Sequence, residues 1–250
     1  MRLPDFIIGG APRSGTTWLY ALLDRHTGVH MAKPITPEPK FFLVDHLYEK
    51  GLAHYSRTWF EGVPDGLVAG EKSTDYLESA PAAGRMARDL PRVKLIFLLR
   101  EPVDRAYSNY LWTKMNGLEH ESFATALALE ERRERELPER LRFARPYSYY
   151  SRGLYADLLQ PYVDRFPREQ LLVVRFEDII GRPAHLADRV HRFLGIEAQP
   201  DVAVDLGVIN PSTKDEVPLD EEVRRALQTR YEEPNARLAA LLGAEFAGWD

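Results

Sequence analysis

The chain has 250 residues, enough for one α/β domain with a sizeable buried core. Its 33 basic and 38 acidic side chains leave a formal charge of −5, which argues against a general nucleic-acid binder, because such proteins present a net basic face. Cysteine is absent, so disulfides, thiolate metal sites and a cysteine nucleophile are all excluded.

No stretch approaches 18 consecutive apolar residues, and no membrane span is expected. The opening MRLPDFIIGG enters a strand without a separate apolar leader, so the expectation is no signal peptide and a cytoplasmic protein. No linker or internal repeat is visible, and residues 1–250 read as a single domain.

The first predicted element is a strand over Phe6–Gly10. A loop of small residues follows, and a helical pattern from about Ser14 carries Trp18, Leu19, Leu22 and Leu23 on its apolar face. His26-Thr27-Gly28 ends that helix, with His26 as a residue of the turn. The loop Pro12-Arg13-Ser14-Gly15-Thr16-Thr17 has the chemistry of an anion cradle. Glycine lets the backbone approach closely, successive N–H groups converge on oxygen atoms, and the helix N-terminus adds partial positive charge. It is not a Walker A loop: the spacing from Gly10 to Gly15 fits, but Thr16 stands where the lysine belongs, and the cation is Arg13.

Pro34, Pro37 and Pro39 impose an extended, stiff path on KPITPEPKFF. Glu38 lies on it, either as a base held on a rigid segment or as a solvated loop residue. Leu47–Phe60 reads as one amphipathic helix rich in aromatics. Leu67–Gly70 is a short strand, and Lys72 follows at its end, the place where open α/β sheets bind ligands.

Val93–Leu99 is a nearly continuous apolar run, the pattern of a central parallel strand covered on both faces. Arg100 follows at once. Pro102 suits a first helical turn and Asp104 its dipole, and the helix then presents Arg105 and Ser108 on one face. A strand-end arginine with a helix serine can form a second anion site. Residues 117–150 contain the charged run EERRERELPER, which reads most simply as a solvated helix and alternatively as a cap over the acceptor site. Arg145–Phe166 opens with tyrosines and becomes helical. Leu171–Val174 is another core strand, followed by a helix to about Leu194. Ile209–Glu216 is a polar turn, Asp220–Tyr231 is a helix, Pro234 begins another short one, and the chain closes on Phe246 and Trp249.

Taken together, these motifs resemble the sulfotransferases that use 3'-phosphoadenosine 5'-phosphosulfate, most closely the heparan sulfate branch and its bacterial relatives. Arg13-Ser14-Gly15-Thr16-Thr17 is similar to their first motif. Arg100-Glu101-Pro102 with Ser108 is similar to the second, Glu38-Pro39-Lys40-Phe41-Phe42 to the segment of the base, and Glu71-Lys72-Ser73-Thr74-Asp75-Tyr76 to the lysine motif. Arg152-Gly153-Leu154-Tyr155 and the closing YEEPNARL also look like the family.

The resemblance implies an α/β, P-loop-containing three-layer fold with a central, mostly parallel sheet. It implies sulfonate transfer by in-line attack to an acceptor hydroxyl, an amine being the second choice, on a small molecule, glycan or lipid. Glu38, Arg13, Lys72 and Lys40 would form the catalytic set. Arg13, Ser14, Gly15, Thr16, Thr17, Trp18, Arg100, Ser108, Tyr155 and Lys214 would contact the donor and its product, adenosine 3',5'-bisphosphate. Fixed cations would take the place of a metal. The chain departs from the heparan enzymes at Lys40, where one subgroup has histidine, and in lacking the disulfide-bridged loop near Lys214. A P-loop kinase using Mg-ATP and a nucleotide-binding protein without turnover are the competing readings.

Overall fold

The computed structural model describes residues 1–139, 143–199, 206 and 218–249. Strands β1 (Phe6–Gly10), β2 (Val29–Met31), β3 (Val68–Lys72), β4 (Lys94–Leu99) and β5 (Leu171–Arg175) form one parallel sheet of order β2-β3-β1-β4-β5. The composition explains why β1 and β4 sit inside it. Every residue of β1 is buried, as are Leu95 through Leu99 of β4, so both faces of these strands must be covered.

Side chains alternate across the sheet. Phe6, Ile8, Ile96, Leu98 and Val174 join Trp18, Leu19, Leu22 and Leu23 of helix α1 (Thr16–Asp24) and Leu186, Val190 and Leu194 of a later helix (Pro183–Leu194) in one apolar cluster. Phe97 meets the ring of Tyr162 at 4.9 Å between centroids. Helices therefore flank the sheet as the three-layer expectation requires. Because all five strands run the same way, the ends of β1 and β3 open on one edge of the sheet. Ser73 N–H donates to the Ile8 carbonyl at 3.0 Å, and Ala11 N–H to the Leu98 carbonyl at 2.7 Å.

The chain divides into two compact units, Met1–Leu99 with Gln160–Asn210 and Arg100–Leu159 with Pro211–Asp250. The first holds the sheet. The second is helical, with Val103, Ala106, Tyr110, Phe123, Ala126, Tyr149, Leu227 and Tyr231 in its core. Among the described residues no helix is long and apolar enough to cross a membrane.

Several elements differ from the sequence expectation. The helix expected over 47–60 is two, α2 (Asp45–Tyr48) and α3 (Gly51–Phe60), separated where Gly51 takes a left-handed φ of 79°. Conversely, the two helices expected around Pro234 are one, Glu221–Leu242. Proline there cannot donate to the carbonyl of Arg230 four residues back. That carbonyl instead accepts from Tyr150 Oη at 3.1 Å, which removes the main penalty of the interruption.

The charged run is not simply solvated either. Its first part, Glu130–Glu136, lies on the helix Phe123–Glu136, whose buried side adds Glu130 to the apolar Phe123 and Ala126. Glu130 accepts from the backbone N–H groups of Tyr150 and Ser151 at 2.7 and 2.9 Å, and Arg133 pairs at 2.6 Å with Glu119, which also accepts from Tyr149 Oη at 2.7 Å. Glu131, Arg132, Arg135 and Glu136 provide the outer, ion-paired face. Alternating charge looks the same in sequence whether it faces water or a loop of unpaired N–H groups.

Candidate active site

The loop after β1 gains its form from one residue. Gly15 is the N-cap of α1, with φ of 84° and no side chain to cap the helix. A Cβ there would run into Ile179 and would lie 2.9 Å from the Phe176 ring, so conformation and space both require glycine. The first N–H groups of α1 are then left without carbonyl partners inside the helix. Arg13 stands just before them, also at positive φ, 66°. Open donors at an uncapped helix N-terminus beside an arginine suit a phosphate or sulfate oxygen.

The individual loop residues contribute differently. Ser14 is fully buried, and its Oγ meets no partner among the described residues. Trp18 is 3% exposed and belongs to the apolar cluster, so its indole is a core side chain. Thr16, in the Walker lysine position, is buried, and Thr17 is half-buried.

The proline-rich segment brings Glu38 to the end of β3. Lys72 Nζ pairs with Glu38 Oε1, Thr74 N–H donates to Oε2 at 3.0 Å, and Thr74 Oγ1 lies 3.2 Å from the same oxygen. Both charged side chains are largely buried, at 7% exposure for Lys72 and 13% for Glu38. Lys40 makes a parallel pair with Asp75. Two ion pairs thus tie the loop of residues 38–40 to residues 72–75, and each bonded partner of Glu38 is a donor to its carboxylate.

Behind these pairs lies Glu71, 0% exposed. It accepts from Tyr55 Oη at 2.8 Å, Ser73 Oγ at 2.8 Å and Tyr76 Oη at 3.1 Å. Burial pushes its carboxyl up to about 7, against the opposing pull of the three hydroxyls. Glu71 and Tyr76 were legible in the sequence only as matches to a motif, and Thr74 and Asp75 had no role there. A glutamate directly after the apolar Val68-Ala69-Gly70 of a strand is the one sequence signal that could have marked the buried carboxyl.

In the second unit, Arg100 directly follows β4 in the chain, and its carbonyl accepts from Tyr155 Oη at 2.8 Å. Glu101 caps helix α5 (Pro102–Met115; in chain order α4 is Ala80–Asp89), taking hydrogen bonds from Val103 N–H at 2.9 Å and Asp104 N–H at 2.7 Å. Ser108 is 3% exposed, and Arg105 is fully buried with Nη2 donating to the Tyr149 carbonyl. Arg105 is therefore engaged with the tyrosine segment. Lys214 lies outside the described residues. Among the described residues no group of histidine, aspartate and glutamate has the arrangement of a metal site.

A loop capped by Gly15 after β1 and a carboxylate–lysine pair at the end of the neighbouring β3 sit on a parallel sheet of the P-loop-like α/β class. The chain belongs to the sulfotransferase domain family, whose profile matches residues 3–210. It is 30% identical to human heparan sulfate glucosamine 3-O-sulfotransferase 3B1 across 100% of this chain and 65% of that protein. A crystal structure of a sulfotransferase from Alicyclobacillus acidocaldarius aligns over 97% of this chain and 96% of that one, with a TM-score of 0.80 and 28% identity. Mouse sulfotransferase SULT7A1 in complex with PAP shares the fold at a TM-score of 0.59 and 14% identity, covering 93% of this chain and 85% of that one. The chain spans 47% to 65% of the length of the first curated relatives it matches. The family is thus a sulfotransferase family, and the kinase weighed from the loop alone is set aside.

Proposed function

We propose that this domain transfers a sulfonate from 3'-phosphoadenosine 5'-phosphosulfate to a hydroxyl of a glycan or smaller hydroxylated acceptor, with an amine as the second choice. The observation that carries the reading is Glu38, a largely buried carboxylate fixed by Lys72 and Thr74 in the same unit as the uncapped loop. The donor supplies the activated sulfonate. As the acceptor oxygen bonds to sulfur and the bridging oxygen leaves, Glu38 takes the acceptor proton. Arg13, Lys72 and the N–H groups of Gly15, Thr16 and Thr17 offset negative charge around the transferring group. Lys40 sets the position of the base loop through Asp75. Arg100 and Ser108, with Tyr155 steadying the Arg100 backbone, take the 3'-phosphate.

The glycan preference comes from the heparan sulfate glucosamine in the names of the 3-O-sulfotransferase relatives. Residues 117–150 are retained in this reading as a segment near acceptor recognition, within a single functional domain over 1–250. A cytoplasmic setting also belongs to it, as the absence of cysteine fits a reducing compartment.

Calorimetric titration tests the donor. Adenosine 3',5'-bisphosphate is expected to bind at least tenfold tighter than Mg-ATP, and the reverse order would sink the reading. A mass-spectrometric screen of glucosamine-containing oligosaccharides and hydroxylated metabolites then seeks the gain of one sulfonate. Glu38→Gln is expected to lower turnover 10²-fold or more with bisphosphate affinity unchanged; unchanged turnover would remove Glu38 from the base role.

A further inference from the structure

The base segment is held from behind by hydroxyls whose direction is set elsewhere. Lys40 N–H donates to Ser73 Oγ at 2.9 Å, and Phe42 N–H donates to Tyr76 Oη at 3.3 Å. A hydroxyl has one proton to give and lone pairs with which to accept. Ser73 and Tyr76 both give their proton to Glu71, through Oε2 and Oε1 respectively. Their oxygens are thereby left to accept from the backbone two and four residues after Glu38.

We infer that Glu71 is the positioning residue of the active site: its carboxylate orients the Ser73 and Tyr76 hydroxyls as acceptors, and these hold the Lys40 and Phe42 amides so that Glu38 stays at Lys72 and Thr74. The chain of contacts is continuous and lies within one unit. Tyr55 Oη completes the carboxylate's shell from α3, where its ring stacks on Phe41 with centroids 4.4 Å apart. Glu71 therefore fastens the segment by its backbone and, through Tyr55, by its aromatic side. It touches neither donor nor acceptor in this scheme, and its consequence for turnover rests on the role proposed above for Glu38.

Glu71→Gln is the informative change, because it keeps size and shape while replacing one acceptor oxygen with an NH₂ donor. Whichever hydroxyl meets that NH₂ must turn its proton away, into the N–H it now accepts. Hydrogen-exchange mass spectrometry at pH 8, where the Glu71 carboxyl is ionised, is expected to show at least tenfold faster exchange across residues 39–43 in the variant. Peptides covering Ala11–Thr17 should be unchanged, and adenosine 3',5'-bisphosphate affinity should stay within twofold. With a heparan sulfate hexasaccharide as acceptor, kcat should fall tenfold or more while KM for the donor moves less than twofold.

A folded Glu71→Gln protein that exchanges residues 39–43 at the wild-type rate would overturn the proposal. So would faster exchange with unaltered kcat. Should Glu71→Gln not fold, Ser73→Ala and Tyr76→Phe each remove one acceptor and are expected to free the Lys40 and Phe42 amides separately; protection retained in both would also overturn it. Glu38→Gln run in parallel keeps the two questions apart: full activity there removes the base assignment, while the exchange result still decides what Glu71 holds.

Discussion

Gly15 shows how much one position can be asked to do. It caps α1 without a side chain, holds a left-handed φ of 84°, and lies under Phe176 and Ile179. An alanine would pay roughly 1–2 kcal/mol for the left-handed backbone, and its methyl would also displace Ile179. Gly15→Ala is therefore expected to lose at least about 1 kcal/mol in urea denaturation and to weaken adenosine 3',5'-bisphosphate binding tenfold or more. Wild-type affinity in that variant would show that the loop does not need this geometry. Glu38 and Lys72 were visible as candidates because prolines and a strand end isolate them in the chain. Their pairing was not visible, since 34 residues separate them and only the sheet edge brings them together.

Elements were legible where their chemistry is local. Pro102 and Asp104 marked the start of α5, yet the cap itself is Glu101, which binds two N–H groups of the first turn. Glutamate is not among the usual N-caps, and its role here follows from its place between Arg100 and a proline. Glu101→Ala is expected to cost about 1 kcal/mol of stability with an unchanged denaturant slope; an unchanged midpoint would show the cap to be idle. The helix Glu221–Leu242 makes the opposite point. Pro234 read as a boundary because the local rule is sound, and the structure meets that rule's cost with Tyr150, 84 residues earlier in the chain. In the same way Glu130 and Glu134 read as surface charge, although Tyr150, Ser151 and Arg145 supply donors where water was expected, and Arg133 pairs with Glu119.

For the molecule as a whole, two buried groups pull stability in opposite directions with pH. His191 is 1% exposed, and burial, aided by His26 with ring centroids 4.8 Å away, lowers its pKa from 6.5 to about 4. The unfolded chain binds this proton where the native state does not, so its contribution is lost as pH falls from 6.5 toward 4, by about 3 kcal/mol in full. Glu71 behaves inversely: with its pKa raised from 4.5 to about 7, the native state keeps a proton that the unfolded chain releases, and stability falls as pH rises through that interval. Between pH 4.5 and 6.5 the two slopes nearly cancel. Replacing His191 by asparagine should expose the difference. Wild-type stability minus variant stability is expected to grow by about 1 kcal/mol per pH unit from 4.5 to 6.5 in urea titrations. A difference independent of pH would remove His191 from this balance.

The sequence by itself determined the strand–loop–helix of Phe6–Asp24, the buried strand β4, and the residue types of the proposed anion loop, base and lysine. These depend on short-range rules: burial on both faces selects apolar runs, positive φ selects glycine, and proline stiffens the chain it sits in. Only the tertiary structure decided that Glu38 meets Lys72 and Thr74, that Lys40 answers to Asp75, and that Glu71 lies behind them all in a shell of three hydroxyls. The physical reason is that a buried charge must find its partners wherever the fold brings donors within reach, and that distance in space has no counterpart in the order of the residues.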